Sequence, residues 1–221
     1  MHLKGKEFQY IYESAESILD VIRSNAPEGE KSCQPPMQTL DALKDSGMLS
    51  LWRPKSIGGH ECDPEAYALV AELIASADTS AAWIMHGVAA SWLVLRSASD
   101  QLVNEIIASA DVPVIADTYN KAMQGEKVEG GYILNGHTPF ASGSIVADWI
   151  AHTTLVDGEM FLTFHPAGAL EIKDDWDTLG IRGSASNTVV AKNVFVPDYR
   201  AINITGDVVT TSRFNGTLYK M

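Results

Sequence analysis

Cysteine, positive charge and long apolar runs are all scarce in this sequence. Only two of its 221 residues are cysteines, and neither Cys33 nor Cys62 lies in a Cys-X-X-Cys or Cys/His spacing, which argues against a zinc motif and a disulfide scaffold. The chain contains 16 Lys and Arg and 28 Asp and Glu, so the formal net charge is -12. This charge argues against a nucleic acid or an anionic membrane surface as the partner, because both would require a basic face.

Apolar segments are also too short to span a membrane. No run approaches the roughly 18 apolar residues that a span needs, and the polar first ten residues lack the apolar core of an export signal. Two reduced thiols are typical of a cytoplasmic protein. Hydrophobic residues still make up 46% of the chain, which is enough for a sizeable core divided between two modest domains. We therefore expect a soluble, cytoplasmic protein.

The first half of the chain has the apolar spacing of amphipathic helices. Phe8, Ile11, Ala15 and Ile22 recur at steps of three and four residues, and we expect this first helical region to end before Pro27. Proline, Asp-Pro and Ser-Asp signals then mark further helix starts. The further predicted helices run from Pro35 to Gly47, from Asp63-Pro64 onward, from Ala81 to about Arg96, and from Ser99 to about Ala110.

Near Asp111 the apolar period changes to two, and glycine-containing pairs become the turn signals. We expect Asn135-Gly136 to form a type I′ hairpin turn, and Asp157-Gly158 to separate two further strands. Short strands are predicted over 132–134, 149–156, 160–164, 170–173 and 188–196. The expected fold class is α+β: a helical N-terminal domain over 1–110, a small antiparallel β-barrel domain over 111–200, and a tail over 201–221.

The stretch from Asn135 to Trp149 contains the most distinctive chemistry. On a strand, Phe140 and Ser142 share one face and Ala141 takes the other. A flat heteroaromatic ligand such as a flavin can use an edge of this kind, because backbone groups meet its carbonyls while a ring and a hydroxyl approach its face. The alternative is a plain hairpin with a buried Phe140 and a capping Ser142.

Four ordered segments carry a family resemblance over most of the chain. The chain resembles the acyl-CoA dehydrogenase superfamily, and within it is most similar to the flavin-dependent hydroxylases (monooxygenases). The segments are 43–59, with Ser46-Gly47 and Gly58-Gly59; 77–83, Ala-Asp-Thr-Ser-Ala-Ala-Trp; 131–149; and 176–197, with Gly180-Ile181-Arg182-Gly183 and Val196-Pro197.

The resemblance implies a flavin, FAD or FMN, held along the strand that contains Phe140. In the family the matching aromatic residue flanks the flavin ring, the next backbone group, here Ala141, meets its edge, and the hydroxyl that matches Ser142 approaches N5. The dehydrogenases carry a Thr-Glu-Pro motif earlier in this domain, which is replaced here by 116–120, where Thr118 is the residue that can stand in. The implied cofactor-binding residues are therefore Thr118, Phe140, Ala141 and Ser142.

The same resemblance implies a helical bundle after Val196-Pro197, which in the dehydrogenases supplies the catalytic glutamate. Residues 198–221 are too few for such a bundle, because each helix needs on the order of 12 residues. We therefore expect a fragment, a chain that another polypeptide completes, or one that does not catalyse the family reaction. Whether the chain is by itself an enzyme stays open at this stage.

His86 is the candidate catalytic residue. It follows Trp83 by three residues, so both face the same way on their helix, and a neutral imidazole there can assist the reaction of reduced flavin or accept a phenol proton. Related hydroxylases often place a histidine further along this helix, where this chain has Ala90 and Ser91. The alternative for His86 is a core or interface histidine.

The other polar candidates have ordinary structural alternatives. Arg182 is either a loop cation near an anionic ligand or a surface charge, and Asp148 is a candidate structural strand residue. His137 is expected to be solvated. The acidic cluster 174–177 lacks the glycine and the distal glutamate of a calcium loop, so we interpret it as a solvated turn and expect no metal.

Three functions remain open from the sequence. The first is a two-component hydroxylase that uses reduced flavin from a reductase partner, and oxygen, on a small and in many cases aromatic substrate. The second is an acyl-CoA dehydrogenase that oxidises an acyl thioester. The third is a truncated, non-catalytic relative that binds a partner or nothing. Besides the reductase, the expected protein partners are a second copy of the chain or a complementing chain that carries the bundle.

Overall fold

The structure is a computed structural model that describes residues 6–205 and 211–220. Its contacts divide the chain into two compact units. The first contains the described residues up to Leu93, together with 177–184 and those from Arg213 onward. The second contains 94–176 and the described residues of 185–212. The boundary expected near residue 110 from the sequence stays a prediction.

The first unit is helical, and its helix starts follow the capping chemistry of the sequence. Asp63 precedes a proline at the first helical position, and its carboxylate accepts hydrogen bonds from the amides of Glu65 and Ala66, at 3.0 and 2.9 Å. The carboxylate of Asp78 accepts from the amide of Ser80 at 2.9 Å. The helices are α1 (Lys6–Ser17), α2 (Leu19–Ser32), α3 (Met37–Asp45), α4 (Pro64–Ala77) and α5 (Thr79–Val94).

The first helical region does not end before Pro27, so that expectation was wrong. The break lies at Ile18, between α1 and α2, and α2 continues through Pro27 to Ser32. A proline inside a helix costs on the order of 3 kcal/mol. Close packing of α2 offsets this cost. Ile22 is fully buried, and Gly29 lies so near Pro36 that an added Cβ would be 3.1 Å from the proline ring.

The second unit consists of one helix and a sheet of seven strands in its described part. Six neighbouring pairs make the sheet, and only β1 and β3 run parallel. The spatial order β5-β6-β2-β1-β3-β4-β7 leaves β5 and β7 at the edges, so the sheet is open. The elements are α6 (Asp100–Ser109), β1 (Ile115–Val128), β2 (Gly131–Ala141), β3 (Trp149–Val156), β4 (Glu159–Pro166), β5 (Glu171–Ile172), β6 (Asn187–Pro197) and β7 (Ala201–Asn203). The expected α+β class, helices followed by mainly antiparallel strands, is confirmed, but the strands form an open sheet and not the closed barrel that we expected.

Asn135-Gly136 is not a hairpin turn, contrary to the expectation. The turn lies earlier, at Glu129-Gly130, and β2 runs through Asn135 without reversal. The pairing of β2 with β6 shifts register between Leu134 and Gly136, and the side chain of Asn135 exchanges hydrogen bonds with Asn193 on β6. The Asn-Gly pair therefore forms a bulge within β2, because hydrogen bonds to Asn193 on β6 hold it in the sheet.

The turn at Asp157-Gly158 is confirmed. Both residues have positive φ, at 50° and 87°, as a two-residue type I′ connection requires. The hairpin pairs β3 with β4 without a register shift from Trp149↔Pro166 to Val156↔Glu159. The apolar core of the unit includes Leu134, Ile150 and Val189.

Candidate functional site

The end of β2 presents an aromatic ring outside the core. Phe140 has φ of 66°, in a backbone region that residues other than glycine rarely adopt, and 53% of the residue is exposed. The pairing of β2 with β6 skips Phe140, because it shifts between Thr138 and Ala141. Trp176 meets the ring edge-on at 6.0 Å between centroids. The alternative of a buried Phe140 was wrong. The exposed ring is oriented by its contact with Trp176.

Ser142 and Ala141 follow this ring with opposite exposures. Ala141 is fully buried, whereas Ser142 is half-buried. The Ser142 hydroxyl lies 2.7 Å from the hydroxyl of Ser186, and its amide donates to the carbonyl of Phe140 at 3.1 Å. Gly143, at φ of 77°, then turns the chain away. The backbone therefore folds tightly around Phe140 and holds the Ser142 hydroxyl beside the strand end.

Thr118 supports this strand end from the neighbouring strand β1. Its side chain is buried, and its hydroxyl donates to the carbonyl of Pro139 at 2.8 Å. The hydroxyl proton of Thr118 is thus used within the protein. The structure brings Thr118, Phe140, Ala141 and Ser142 together in the second unit, as the sequence resemblance implied for a cofactor wall; their individual roles stay predictions.

His86 lies in the first unit, on α5. Its Nδ1 is 3.0 Å from the hydroxyl of Tyr67 on α4, and its ring is 5.7 Å from that of Trp83. Tyr67 itself packs against Trp52, with 4.1 Å between ring centroids. Partial burial lowers the pKa of His86 below its usual value. His86 is therefore a neutral, oriented imidazole near neutral pH, and its catalytic role stays a prediction.

The remaining polar candidates have structural partners. Arg182 donates from Nε to the carbonyl of Glu30 at 2.6 Å and from Nη1 to the carbonyl of Thr178 at 2.8 Å, and it also binds Asp177. Asp148 lies directly before β3, not on a strand, and accepts a hydrogen bond from the amide of Val114 at 2.8 Å, which gives it a structural role.

The acidic cluster 174–177 and His137 are at the surface. Asp175 is exposed and accepts a hydrogen bond from the amide of Thr188 at 2.8 Å. His137 is exposed on β2.

Sequence reasoning missed a buried histidine pair in the sheet. His152 on β3 and His165 on β4 are stacked at 4.7 Å between centroids and 11° between planes, and both are fully enclosed. Thr163 bridges them, because its hydroxyl lies 3.1 Å from Nε2 of His165 and 3.3 Å from the carbonyl of His152. The signal was present: counting back from the two-residue turn at Asp157-Gly158 places His152 opposite Thr163, two positions from His165.

Burial decides the charge of this pair. The pKa of His152 falls to about 4 because its imidazole is desolvated, and the pKa of His165 falls well below its usual value for the same reason, with the neighbouring imidazole adding to the effect. Within the described part of the chain, Nε2 of His152 has no hydrogen-bond partner. Both rings are therefore neutral at neutral pH.

Comparison with known proteins agrees with the fold. Residues 7–110 match the family model of the acyl-CoA dehydrogenase N-terminal domain. The flavin-dependent monooxygenase oxygenase subunit HsaA of Mycobacterium tuberculosis is 31% identical over 235 residues, covering 99% of this chain and 58% of its own length. Indole-3-acetate monooxygenase of Pseudomonas putida is 30% identical, covering 82% of this chain and 48% of its own length.

A solved structure extends the agreement to three dimensions. XiaF from Streptomyces sp., in complex with FADH2 and glycerol, superposes with a TM-score of 0.85 at 28% identity, covering 89% of this chain and 51% of XiaF. Residues 7–110 belong to the acyl-CoA dehydrogenase N-terminal domain family, and the chain is similar to flavin-dependent monooxygenases. It spans about half the length of the curated relatives it matches. Among the described residues, no helix is both long and apolar enough to cross a membrane.

Proposed function

We propose that this chain forms the flavin-contacting part of the oxygenase component of a two-component monooxygenase. The observation that carries the proposal is the end of β2, where the exposed Phe140 ring is held by Trp176 and is followed by the half-buried Ser142 hydroxyl. The similarity to HsaA and XiaF supports it.

The residues at this strand end fit a flavin. A planar ring can lie against the exposed face of Phe140, and an aromatic contact of this kind contributes about 0.5–1.5 kcal/mol beyond the apolar area it buries. The backbone of Ala141 and the Ser142 hydroxyl follow within two residues, as the polar groups that an edge carbonyl and a ring nitrogen of the flavin would meet. Thr118 holds the preceding carbonyl, that of Pro139, in place.

Bound reduced flavin would supply the activation of oxygen for hydroxylation. The protein residues would orient the ring, and His86 would contact the substrate with a neutral imidazole. We propose a small aromatic substrate, because the name of the related indole-3-acetate monooxygenase contains a compound of this kind. The partner that fits this scheme is a flavin reductase, and a second copy of the chain or a bundle-bearing chain is a further candidate partner.

FAD and FMN are both compatible with the strand end. Phe140, Ala141 and Ser142 would contact the isoalloxazine ring, which the two cofactors share. Cys33 and Cys62 are free thiols, which supports a cytoplasmic location for the protein.

Equilibrium binding of photoreduced FAD and FMN to the purified chain under anaerobic conditions tests the proposal. We expect saturable binding of at least one flavin, weakened several-fold in Phe140→Ala. Phe195→Ala is the matched control, because Phe195 is also half-exposed but lies on β6, away from this strand end. If neither flavin binds, or if both variants lose binding equally, the proposal is wrong. Bleaching of bound oxidised flavin by an acyl-CoA would instead favour a dehydrogenase.

A further inference from the structure

Tyr67 and His86 form a hydrogen-bonded pair between two helices of the first unit. Tyr67 lies on α4 and is only 6% exposed, and its hydroxyl is 3.0 Å from Nδ1 of His86 on α5. In the described part of the chain, Nδ1 of His86 is the only hydrogen-bond partner of this hydroxyl. The contact therefore decides the protonation of the imidazole ring, because a neutral histidine carries its proton on one nitrogen only.

The environment of Tyr67 favours the hydroxyl as the donor. Burial raises the pKa of Tyr67, so the phenol keeps its proton. A buried phenol that did not donate to Nδ1 would leave its proton without an acceptor, at a cost of about 1–3 kcal/mol. If the hydroxyl donates, Nδ1 must be the unprotonated nitrogen, and the imidazole proton resides on Nε2.

The opposite side of the imidazole is accessible. His86 and Trp83 are both exposed on the same face of α5, and their rings are 5.7 Å apart. Trp83 is 49% exposed, although large apolar side chains are usually buried. This face therefore combines an aromatic surface with a single nitrogen of defined protonation, which are the two features that recognise an aromatic compound bearing an anionic oxygen.

We propose that Tyr67 is a positioning residue that holds His86 as the Nε2–H tautomer, so that His86 donates a hydrogen bond to an anionic oxygen of an aromatic substrate rather than acting as a base. The inference deepens the proposed monooxygenase function and rests on it for the substrate. In this arrangement Tyr67 does not touch the substrate; it keeps the Nε2 proton on the accessible side of the ring.

The tautomer is measurable without flavin or activity. Long-range ¹H–¹⁵N correlation spectra of the chain labelled with ¹⁵N-histidine distinguish protonated from unprotonated ring nitrogens, and the spectrum of His86→Gln identifies the signals of His86. At pH 8 we expect Nδ1 of His86 to be unprotonated and Nε2 protonated. An Nδ1–H tautomer in the unmodified chain would overturn the proposal, whatever the outcome of the flavin-binding experiment.

Tyr67→Phe tests the positioning role. The phenyl ring keeps the packing on Trp52 but removes the donor, so we expect the tautomer ratio of His86 to shift about fivefold towards Nδ1–H. Tyr12→Phe is the control, since the Tyr12 ring contacts Phe8 and not a histidine. An unchanged ratio in Tyr67→Phe would contradict the role of Tyr67.

Ligand binding tests the donor role separately. In the unmodified chain we expect benzoate to shift the Nε2 signal of His86 more than benzyl alcohol does, because only benzoate offers an anionic oxygen. Tyr67→Phe should reduce the benzoate effect several-fold. Equal shifts for the two compounds, or none, would refute recognition of an anionic aromatic compound while leaving flavin binding at Phe140 a separate question.

Discussion

The hydroxyl oxygens of Ser142 and Ser186 lie 2.7 Å apart, which joins the residue that follows β2 to the residue that precedes β6. Ser186 is buried, whereas Ser142 is half-buried. The two side chains therefore share one hydrogen bond, but only Ser142 is partly exposed at the strand end. This difference provides a matched pair of substitutions.

Ser142→Ala and Ser186→Ala should have similar effects on stability and different effects on flavin binding. Each removes the same hydrogen bond, so each should lower the free energy of unfolding by about 1 kcal/mol, measured by urea denaturation. Only Ser142→Ala should also weaken reduced-flavin affinity, by about fivefold, because it removes the hydroxyl proposed to contact the ring. Equal affinity in the two variants would show that the Ser142 hydroxyl has a structural role only.

Phe140→Gly should weaken flavin binding with little change in stability. Glycine adopts φ of 66° without the steric cost that Phe140 bears, and this gain offsets the loss of the edge-on contact with Trp176. We expect the midpoint of thermal unfolding to move by only a few degrees, while flavin affinity falls about threefold to tenfold. Phe140→Leu keeps apolar bulk at this position, and should bind flavin with intermediate affinity. A large stability loss in Phe140→Gly would mean that the ring belongs to the core.

The buried histidine pair should make the second unit sensitive to acid. The folded-state pKa values of His152 and His165 lie below the unfolded value of about 6.5, so between that pH and about 4 the unfolded chain binds more protons than the folded one. Stability should therefore fall as the pH drops through this window and be fully regained above it. Urea unfolding at pH 7.5, 6.0 and 5.0 measures the slope.

His152→Phe is the variant that isolates this contribution from the carboxylates. It preserves a stacked ring beside His165 and removes the Nε2 atom that has no hydrogen-bond partner within the described residues. The pH slope of its unfolding free energy should correspond to about one proton fewer than in the unmodified chain, or about 1.4 kcal/mol less per pH unit. An identical slope would mean that His152 takes up a proton in the folded state.

Arg182→Lys should loosen the segment 177–184 without affecting the rest of the first unit. The guanidinium donates to the carbonyls of Glu30 and Thr178 and also binds Asp177, and an ammonium group cannot reproduce this planar fork. Hydrogen–deuterium exchange should show several-fold faster exchange of the amides of 177–184. Arg23→Lys is the control, because Arg23 makes only an exposed ion pair with Asp20. If the amides of 177–184 exchange at the same rate in Arg182→Lys as in Arg23→Lys, the role of Arg182 is refuted.

Local chemistry explains which parts of the fold were predictable. Asp63 with Pro64, and Ser99 with Asp100, mark helix starts by hydrogen bonds within three residues, and Asp157-Gly158 makes a turn from its own two residues. Pro27 and Asn135-Gly136 were misread, because packing against Pro36 and pairing with β6 overrode their local preferences. The same limit applies to the site. Phe140, Ala141 and Ser142 are consecutive, so they could be found together, whereas Trp176 and Ser186 reach them only through the fold.

The amino-acid sequence by itself determined the order of the elements, helices first and a mainly antiparallel sheet second, and the residues that line the end of β2. It could do so because apolar period, capping and two-residue turns act over a few residues. Tertiary structure alone decided that Tyr67 meets Nδ1 of His86, that His152 and His165 are buried together, and that Arg182 is held by Glu30. Those relationships depend on which elements pack side by side, and their consequences for protonation depend on the burial that packing produces.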